Sequence, residues 1–206
     1  MSTNAPPSFK IERELLAQGF ERIVGVDEAG CGALAGPVVA AAVILPVDSR
    51  ISGLRDSKLL SAGAREGLYY MIVERCVGYG VGIASVEEIA MLNIRGADLL
   101  AMHRAVEAIE SVDYALVDAW TIPGISIPQR GIVRGDLTVK SIAAASIIAK
   151  VTRDRLMCEL AQQFPQYGFE IHKGYGTRKH REAILKHGIC AHHRHTFCHS
   201  YIRTHS

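Results

Sequence analysis

Long apolar runs are absent from this sequence. Among 206 residues, 49% of them hydrophobic, no stretch approaches the roughly 18 to 20 uninterrupted apolar residues that cross a bilayer. The N-terminal segment MSTNAPPSFK lacks the apolar core of a signal peptide. Internal repeats and low-complexity segments are missing too. We therefore expect a cytoplasmic protein without a membrane partner.

Paired cysteines and a strong charge of one sign are also lacking. The odd number of cysteines and the absence of a Cys-x-x-Cys pair favour free thiols in a reducing compartment. The net charge of +2 and pI near 8.3 do not by themselves indicate a nucleic-acid partner. Positive charge and histidine concentrate after residue 170. The five cysteines are Cys31, Cys76, Cys158, Cys190 and Cys198.

The apolar pattern predicts alternating strands and helices around one main core, which is what a chain of this length can bury. An α/β domain with a mixed sheet and a helical C-terminal extension follows from their order. Ser85 and Glu88 form a capping-box pattern at one helix start, and Gly188 is a typical helix stop. The predicted strands cover 23–30, 37–45, 77–85, 114–120 and a short segment around Ile132 and Val133. The predicted helices cover 11–19, 61–75, 85–93, 96–110, 141–164 and 177–188.

Four acidic residues follow segments that are predicted to be strands. Asp27 and Glu28 come directly after the apolar part of the first, Asp118 is near the end of the fourth, and Asp136 follows the short fifth. Open α/β sheets usually present ligand groups at strand ends, so four carboxylates could meet at one edge. Each acid taken alone could equally be a helix cap or a surface charge.

A cluster of carboxylates repels itself unless cations neutralise it, and divalent metal ions are its natural complement. Magnesium or manganese suits an all-oxygen ligand set better than zinc does. Two such ions about 3.5 to 4 Å apart can activate a water and stabilise the leaving oxygen in phosphodiester cleavage. These acids therefore support the hypothesis of a two-metal nuclease.

Local sequence is more specific than the spacing of the acids. Six segments occur in order between about residues 22 and 198: VDEAGCGALAGPVVAAAVIL, DSKLL, GIASVEEI, SIAAASIIAKVTRDRLM, YGFEIHKGYGT and HRHTF. Together they resemble ribonuclease HII, the type 2 ribonuclease H family. The resemblance implies a ribonuclease H-like mixed β-sheet flanked by helices, with a small helical C-terminal extension. It also implies an endonuclease that cleaves RNA in RNA–DNA duplexes and leaves 5′-phosphomonoesters, including on the 5′ side of single ribonucleotides embedded in DNA.

By the same resemblance, the family's four catalytic acids fall on Asp27, Glu28, Asp118 and Asp136. They are expected to hold two Mn²⁺ or Mg²⁺ ions. The expected organisation is an N-terminal lead-in with a short helix at 1–20, a catalytic domain at 21–165 and a substrate-binding helical extension at 166–206.

The sequence departs from the family in the glycine-flanked stretch after the first two acids. The family has Gly-Arg-Gly there, and its backbone approaches the ribose 2′-hydroxyl. Here the stretch is Gly30, Cys31 and Gly32. The glycines permit the same close approach, but cysteine cannot replace the forked hydrogen bonds of a guanidinium. We expect retained cleavage with weaker or altered junction selectivity, although nearby Arg or Lys could compensate for the change.

Other candidate substrate contacts carry an aromatic ring or a positive charge. Tyr175 in HKGYGT matches the family tyrosine at the junction between ribonucleotide and deoxyribonucleotide, where a ring can stack on a sugar or base. Lys58, Lys150 and Arg153 are candidates for phosphate contacts, since cations on the backbone supply most sequence-independent affinity. A solvated face or a salt bridge, for example of Arg153 or Arg155 with Asp154, is the alternative for these cations.

The histidine-rich tail offers a second metal hypothesis. Its residues are of the types that bind zinc, but their spacing fits no common zinc pattern, and HRHTF aligns with an ordinary segment of the resembled family. Zinc binding is therefore the less favoured interpretation of Cys190, His192, His193, His195, Cys198 and His199.

Ribonucleotide removal from DNA is the expected role, with RNA–DNA hybrids and ribonucleotide-containing duplex DNA as partners. One alternative is a general hybrid nuclease with little junction preference, because of Cys31. Another is a nucleic-acid-binding protein without catalysis, which would have no need for a repulsive carboxylate cluster. A monomer is expected, and a terminus is a candidate contact for a sliding clamp.

Overall fold

The computed structural model describes residues 6–54 and 57–202, and its centre is a mixed five-stranded sheet. Its strands lie in the order β3-β2-β1-β4-β5, where β1 is antiparallel to β2, β2 is antiparallel to β3, and β4 is parallel to both β1 and β5. The bounds are Ile23–Ala29 for β1, Val38–Ile44 for β2, Gly78–Ala84 for β3, Tyr114–Asp118 for β4 and Gln129–Ile132 for β5.

Helices cover both faces of this sheet. Helix α3 packs on one face and α4 with α2 on the other, so the predicted α/β class is confirmed. None of the helices in the described part of the chain is both long and apolar enough to span a membrane. The helices are α1 (Lys10–Leu16), α2 (Ala62–Arg75), α3 (Val86–Glu107), α4 (Lys140–Gln163), α5 (Phe169–His172), α6 (Arg178–His187) and α7 (His195–Ile202).

Alternation along β1 decides which helix each of its side chains meets. Val24 and Val26 belong to the core beneath α3, whereas Ala29 belongs to the core beneath α4. Since successive side chains of a strand point to opposite faces, Asp27 lies on the α4 side and Glu28 on the α3 side. The adjacent acids therefore reach toward different helices from one strand end.

Glycines let the two main helices approach the sheet closely. A Cβ atom at Gly25 would collide with the backbone of Ser141 at the start of α4. On the other face, Cβ atoms at Gly80 and Gly82 would collide with backbone oxygens of α3. The close packing expected from the alternating glycines of β3 is confirmed.

A break in α3 matches the two helices predicted for this region. Asn93 has φ 60° and ψ 173°, which is not helical. Its side-chain oxygen accepts hydrogen bonds from the backbone N–H groups of Arg95 and Gly96, so it caps the second segment. The predicted capping box at the helix start is also confirmed, because the Ser85 and Glu88 side chains each accept from the other's backbone N–H.

Two expectations about secondary structure were wrong. The strand predicted around Ile132 and Val133 forms, but its bounds were wrong: it runs from Gln129 to Ile132, because its pairing with β4 begins earlier, opposite Ala115. The sequence predicted no helix after residue 188, but α7 forms there and buries Cys198 against Leu34. Pairing and burial by distant segments override the weak local pattern in both places.

The C-terminal extension has a small core of aromatic rings and histidines. His172 stacks on His180 at 4.3 Å between ring centroids, and Tyr167 stacks on Phe169 at 5.3 Å. His180 Nε2 and His193 Nε2 are 3.1 Å apart, within hydrogen-bond distance. Burial lowers the pKa of His180 and His193 to about 4 each, so these rings pack in their neutral form.

Candidate active site

The register of the parallel strands places two of the predicted acids side by side. Val26 of β1 pairs with Val117 of β4, so the next residues, Asp27 within β1 and Asp118 at the end of β4, lie side by side on neighbouring strands. One carboxylate oxygen from each of Asp27, Glu28 and Asp118 lies within 4.8 Å of the others. The predicted convergence of these three acids at one sheet edge is present in the structure.

Asp27 is the most enclosed of these acids. It is buried, and its Oδ1 accepts a 2.8 Å hydrogen bond from the backbone N–H of Glu28. Burial, followed by the charges of Glu28 and Asp118, raises the pKa of Asp27 well above its ordinary value. Holding all three acids ionised therefore requires a compensating positive charge.

Asp136 occupies a position beside this group. It lies in a short 3₁₀ turn after β5 and is buried, but it is not one of the three acids whose oxygens converge within 4.8 Å. Its charge contributes to the raised pKa of Asp27. The same turn holds Asp118 in place, because the backbone N–H of Gly135 donates a 2.6 Å hydrogen bond to Asp118 Oδ1.

The donor set of this group fits a hard divalent cation. Asp27, Glu28 and Asp118 offer only carboxylate oxygens, which are the ligands that Mg²⁺ and Mn²⁺ prefer. Burial of Asp27 beside two other carboxylates makes the cluster costly without a cation. The residues present therefore fit the metal ions that the sequence implies.

The glycine-flanked loop next to the acids has one constrained and one open position. Gly30 has φ +105°, and a Cβ atom there would collide with the guanidinium of Arg153. Gly32 has no atom within 4 Å of the place where its Cβ would stand. Gly30 is thus required by the fold, whereas Gly32 leaves open space above the loop.

Arg153 does not occupy the position expected for a phosphate contact. Its side chain is 0% exposed and donates hydrogen bonds to the carbonyl oxygens of Pro37, Lys173 and Ala35. The alternative, a salt bridge between Arg153 and Asp154, does not form within the described chain, where Asp154 pairs with Lys150 and Arg65. Arg153 holds the loop at 30–37 against the segment around residue 173, because a buried guanidinium must use its donors on protein acceptors.

Arg194 performs the same task from the C-terminal side, and the sequence did not indicate its role. It is buried and donates to the carbonyl oxygens of Gly36 and Cys31. Burial, with the charge of Arg153, lowers its pKa to about 10. Its place within the quoted HRHTF segment was the only signal in the sequence.

Tyr175 is connected to the same loop. The carbonyl oxygen of the preceding Gly174 accepts hydrogen bonds from the backbone N–H groups of Leu34 and Ala35, at 2.8 and 3.3 Å. The Tyr175 ring lies 5.3 Å from Lys150 Nζ. The predicted ribonucleotide-recognition residues therefore belong to one connected unit.

Lys150 and Tyr175 line a cleft of about 630 Å³ between α2, α4 and α5. Four cationic residues and three acidic residues line it, so its excess positive charge is small. Lys150 forms a 2.7 Å ion pair with Asp154, so its charge is partly neutralised within the cleft. The charged residues lining the cleft are Arg65, Lys150, Arg155, Lys173, Glu66, Asp154 and Glu159.

Lys58 is the remaining predicted phosphate contact. It is exposed, and its positive charge lowers the pKa of Asp118, although burial of Asp118 has the larger effect and raises that pKa overall. Lys58 is therefore the predicted cation that lies near the carboxylates, whereas Lys150 lies near Tyr175.

A further acid, Asp98 of α3, joins this region and was not anticipated. One ligand atom from each of Glu28, Cys31 and Asp98 lies within 4.8 Å of the others. Burial and the charge of Glu28 raise the pKa of Asp98 to about 7, and burial with the charge of Asp98 raises the pKa of the Cys31 thiol. A charged residue at a buried helical position between Ala97 and Leu99 was the available signal.

The histidine-rich tail brings no three of its candidate zinc ligands together within the described chain. Cys190 Sγ contacts His193 Nδ1 at 3.2 Å, and His195 contacts His199 through ring nitrogens 3.1 Å apart. Cys198 donates instead to the carbonyl oxygen of Leu34. These side chains are spread over separate contacts within the extension.

Comparison with solved structures defines the class of the fold. The chain is similar to ribonuclease H2 from Pyrococcus horikoshii OT3, with a TM-score of 0.72 and 25% identity over 88% of this chain and 97% of that one. It is also similar to Bst-RNase HIII, with a TM-score of 0.66 and 20% identity over 96% of this chain and 70% of that one. The sheet and its flanking helices are those of the ribonuclease H class.

Sequence comparison gives the family within that class. The family model for ribonuclease HII matches residues 24–201. Ribonuclease HII of Geobacillus sp. (strain WCH70) is 53% identical over 91% of this chain and 68% of its own length. That of Syntrophotalea carbinolica is 50% identical over 90% of both chains. The chain belongs to the ribonuclease HII family and is therefore an endoribonuclease of RNA–DNA hybrids whose products carry 5′-phosphates.

Proposed function

We propose that this enzyme cleaves on the 5′ side of single ribonucleotides embedded in DNA, as part of their removal. The observation that carries the proposal is the link between Gly174 and the loop at 30–37, with hydrogen bonds to Leu34 and Ala35. This link fixes Tyr175 relative to the loop that begins next to Glu28. Tyr175 would contact the junction and Glu28 would take part in cleavage. Because the two are held at a fixed spacing, the arrangement favours recognition of one ribonucleotide over recognition of a long tract.

Asp27, Glu28 and Asp118, with Asp136 beside them, are the proposed catalytic acids. Two Mn²⁺ or Mg²⁺ ions bound there would supply the Lewis acidity that activates water and stabilises the leaving oxygen. The backbone N–H of Gly135 donates a hydrogen bond to Asp118, which holds this carboxylate in one orientation. A solved structure of Bst-RNase HIII in complex with Mn²⁺ supports the choice of metal.

The open space above Gly32 is the proposed place for the ribose. Its missing side chain leaves room for a sugar to approach the backbone, whose polar groups can bond the 2′-hydroxyl that separates RNA from DNA. Tyr175 would pack against the neighbouring sugar or base. Lys58 and Lys150 would contact phosphates, whereas Arg153 holds the loop.

The second candidate is a general hybrid nuclease with weak junction selectivity, and Cys31 favours it. The thiol faces the Asp98 carboxylate and provides no guanidinium for a phosphate. Comparing the Cys31→Arg variant with the natural protein on a duplex with one ribonucleotide separates the candidates. Stronger junction preference in the variant supports altered selectivity, and an unchanged rate and cleavage position would sink that idea.

Purified protein incubated with Mg²⁺ or Mn²⁺ and duplexes carrying one, four or many ribonucleotides tests the proposal. We expect cleavage at the 5′ side of the single ribonucleotide and a loss of at least ~100-fold in Asp27→Asn, since even outer partners of a metal site contribute 10- to 100-fold. Cleavage of long tracts alone would favour the general nuclease. No cleavage at all would favour a non-catalytic binder, and cleavage that survives Asp27→Asn contradicts the site.

Other expectations about partners and location stay predictions. A solved complex of PCNA with RNase HII from Archaeoglobus fulgidus, 27% identical with a TM-score of 0.63 over 84% of this chain and 91% of that one, supports a sliding-clamp partner. Of the candidate segments for that contact, the first ten residues and the last few, residues 1–5 and 203–206 lie outside the described residues. The monomeric state, the cytoplasmic location and the domain bounds at 20 and 165 are proposals of the same kind.

A further inference from the structure

Glu28, Cys31 and Asp98 form a second group of potential metal ligands beside the catalytic acids. One ligand atom from each of them lies within 4.8 Å of the other two. The three residues come from the end of β1, the glycine-flanked loop and the middle of α3, so the tertiary fold alone assembles them. Glu28 and Cys31 are half-buried, which leaves the group accessible from one side.

Asp98 gives an independent indication that this group has a ligand. The residue is 8% exposed, and although the Cys31 thiol is a hydrogen-bond partner of its carboxylate, its Oδ1 atom has none. A buried carboxylate oxygen without a partner is costly, and proteins normally satisfy such atoms or bind an ion with them. Burial raises the pKa of Asp98 and the charge of Arg95 opposes this rise, but the Arg95 guanidinium lies 3.6 Å from the centre of the Trp120 ring.

The donor chemistry of this group differs from that of the catalytic acids. Two carboxylates and a thiol suit a borderline ion such as Zn²⁺, which binds thiolate sulfur strongly, whereas Mg²⁺ prefers oxygen ligands throughout. The thiol must release its proton to the solvent when the ion binds. The presence of Cys31 therefore changes which ion the neighbourhood selects.

We propose that Glu28, Cys31 and Asp98 form a site for a thiophilic divalent cation such as Zn²⁺, which overlaps the site for Mg²⁺ or Mn²⁺ at Glu28. Both sites use Glu28, so an ion held by Cys31 draws this carboxylate away from Asp27 and Asp118. Zinc at this site competes with productive metal binding and makes the enzyme sensitive to zinc. The ligand geometry does not depend on which nucleic acid the enzyme cleaves.

Titration of the full chain with Cd²⁺, followed by the ultraviolet charge-transfer absorption of cadmium thiolates, tests the site without an activity measurement. We expect one tight equivalent in the natural protein, which is absent in Cys31→Ser. The Asp98→Asn variant keeps the shape of the side chain but loses a carboxylate, so affinity falls by at least ~10-fold. Cys190→Ser is the matched control, because Cys190 is also half-buried and contacts His193.

Thermal unfolding without metal first establishes that each variant is folded, and Zn²⁺ then raises the melting temperature of the natural protein more than that of Asp98→Asn. An unchanged tight equivalent in Cys31→Ser overturns the proposal. Loss of that equivalent in Cys190→Ser instead assigns the metal to the C-terminal tail and also overturns it. If Asp98→Asn and the natural protein bind Cd²⁺ with equal affinity, the Asp98 carboxylate is not a ligand, and this result also overturns the proposal.

Discussion

Arg153 and Arg194 hold the same loop from two separate parts of the chain. Arg153, on α4, donates to Ala35 and Pro37, and Arg194, just before α7, donates to Cys31 and Gly36. Both guanidiniums are almost completely buried, so each replaces its hydration with fixed carbonyl oxygens. The loop next to the catalytic acids is thus positioned by the long helix and by the C-terminal extension together.

Replacing either buried arginine by lysine is expected to lower the free energy of unfolding by at least ~2 kcal/mol, because one ammonium cannot satisfy all the carbonyl oxygens left behind. Urea unfolding of Arg153→Lys and Arg194→Lys measures this. The control is Arg155→Lys. Arg155 forms an exposed ion pair with Glu66, so this substitution should lower the free energy of unfolding by less than ~1 kcal/mol. Equal effects at all three positions would contradict the role of the buried pair.

Gly30→Ala and Gly32→Ala are expected to affect different properties. At Gly30 the left-handed backbone and the Arg153 guanidinium oppose a methyl group, so we expect a loss of ~1–3 kcal/mol in unfolding free energy. At Gly32 the methyl group meets no protein atom, so stability should change by less than ~0.5 kcal/mol while cleavage at a single ribonucleotide weakens. Thermal melts and substrate titrations separate the effects, and full cleavage by Gly32→Ala argues against ribose binding there.

The C-terminal extension should lose stability in mild acid. His180 and His193 have ordinary pKa values near 6.5 that fall to about 4 in the folded protein, so the unfolded chain binds their protons more readily. Their contribution is complete above about pH 6.5 and is lost as the pH falls toward 4. We expect the unfolding free energy to drop by at least ~1 kcal/mol between pH 7 and pH 5.

Denaturant unfolding across this pH range, with His193→Gln and His195→Gln as a matched pair, checks the assignment. His193 is buried against His180, whereas His195 is exposed. The fall in unfolding free energy between pH 7 and pH 5 should become smaller in His193→Gln and stay unchanged in His195→Gln. An identical pH dependence in the two variants would mean that other groups cause the acid sensitivity.

Asp27→Asn is expected to stabilise the metal-free protein while it lowers cleavage by at least ~100-fold. Glu28 and Asp118 repel the buried Asp27 carboxylate, so a neutral amide should raise the unfolding free energy by ~1 kcal/mol or more in the presence of a chelator. Added Mn²⁺ should then stabilise the natural protein more than the variant. Asp48→Asn, at an exposed position, is the control. If metal-free Asp27→Asn melts at a lower temperature than the natural protein, the proposed repulsion is contradicted.

Local sequence determined most of the scaffold. The apolar run of β2 predicts a strand buried on both faces, and the capping box at Ser85 predicts the start of α3, because both signals come from neighbouring residues. The first motif of the family resemblance contains Asp27 and Glu28, and the correspondence with the family also indicated Asp118 and Asp136. These features depend on short-range patterns that the sequence displays directly.

Only the tertiary structure decided what the buried charges contact. Arg153 carries a charge that suggested a phosphate, but it is enclosed by carbonyl groups of distant segments, and Arg194 carried no distinct signal. Asp98 and Cys31, 67 positions apart, meet because α3 covers the face of β1 to which Glu28 points. Sequence alone determined which chemical groups this protein has near its active site, whereas packing between distant elements decided which of them remain available to a substrate or a metal ion.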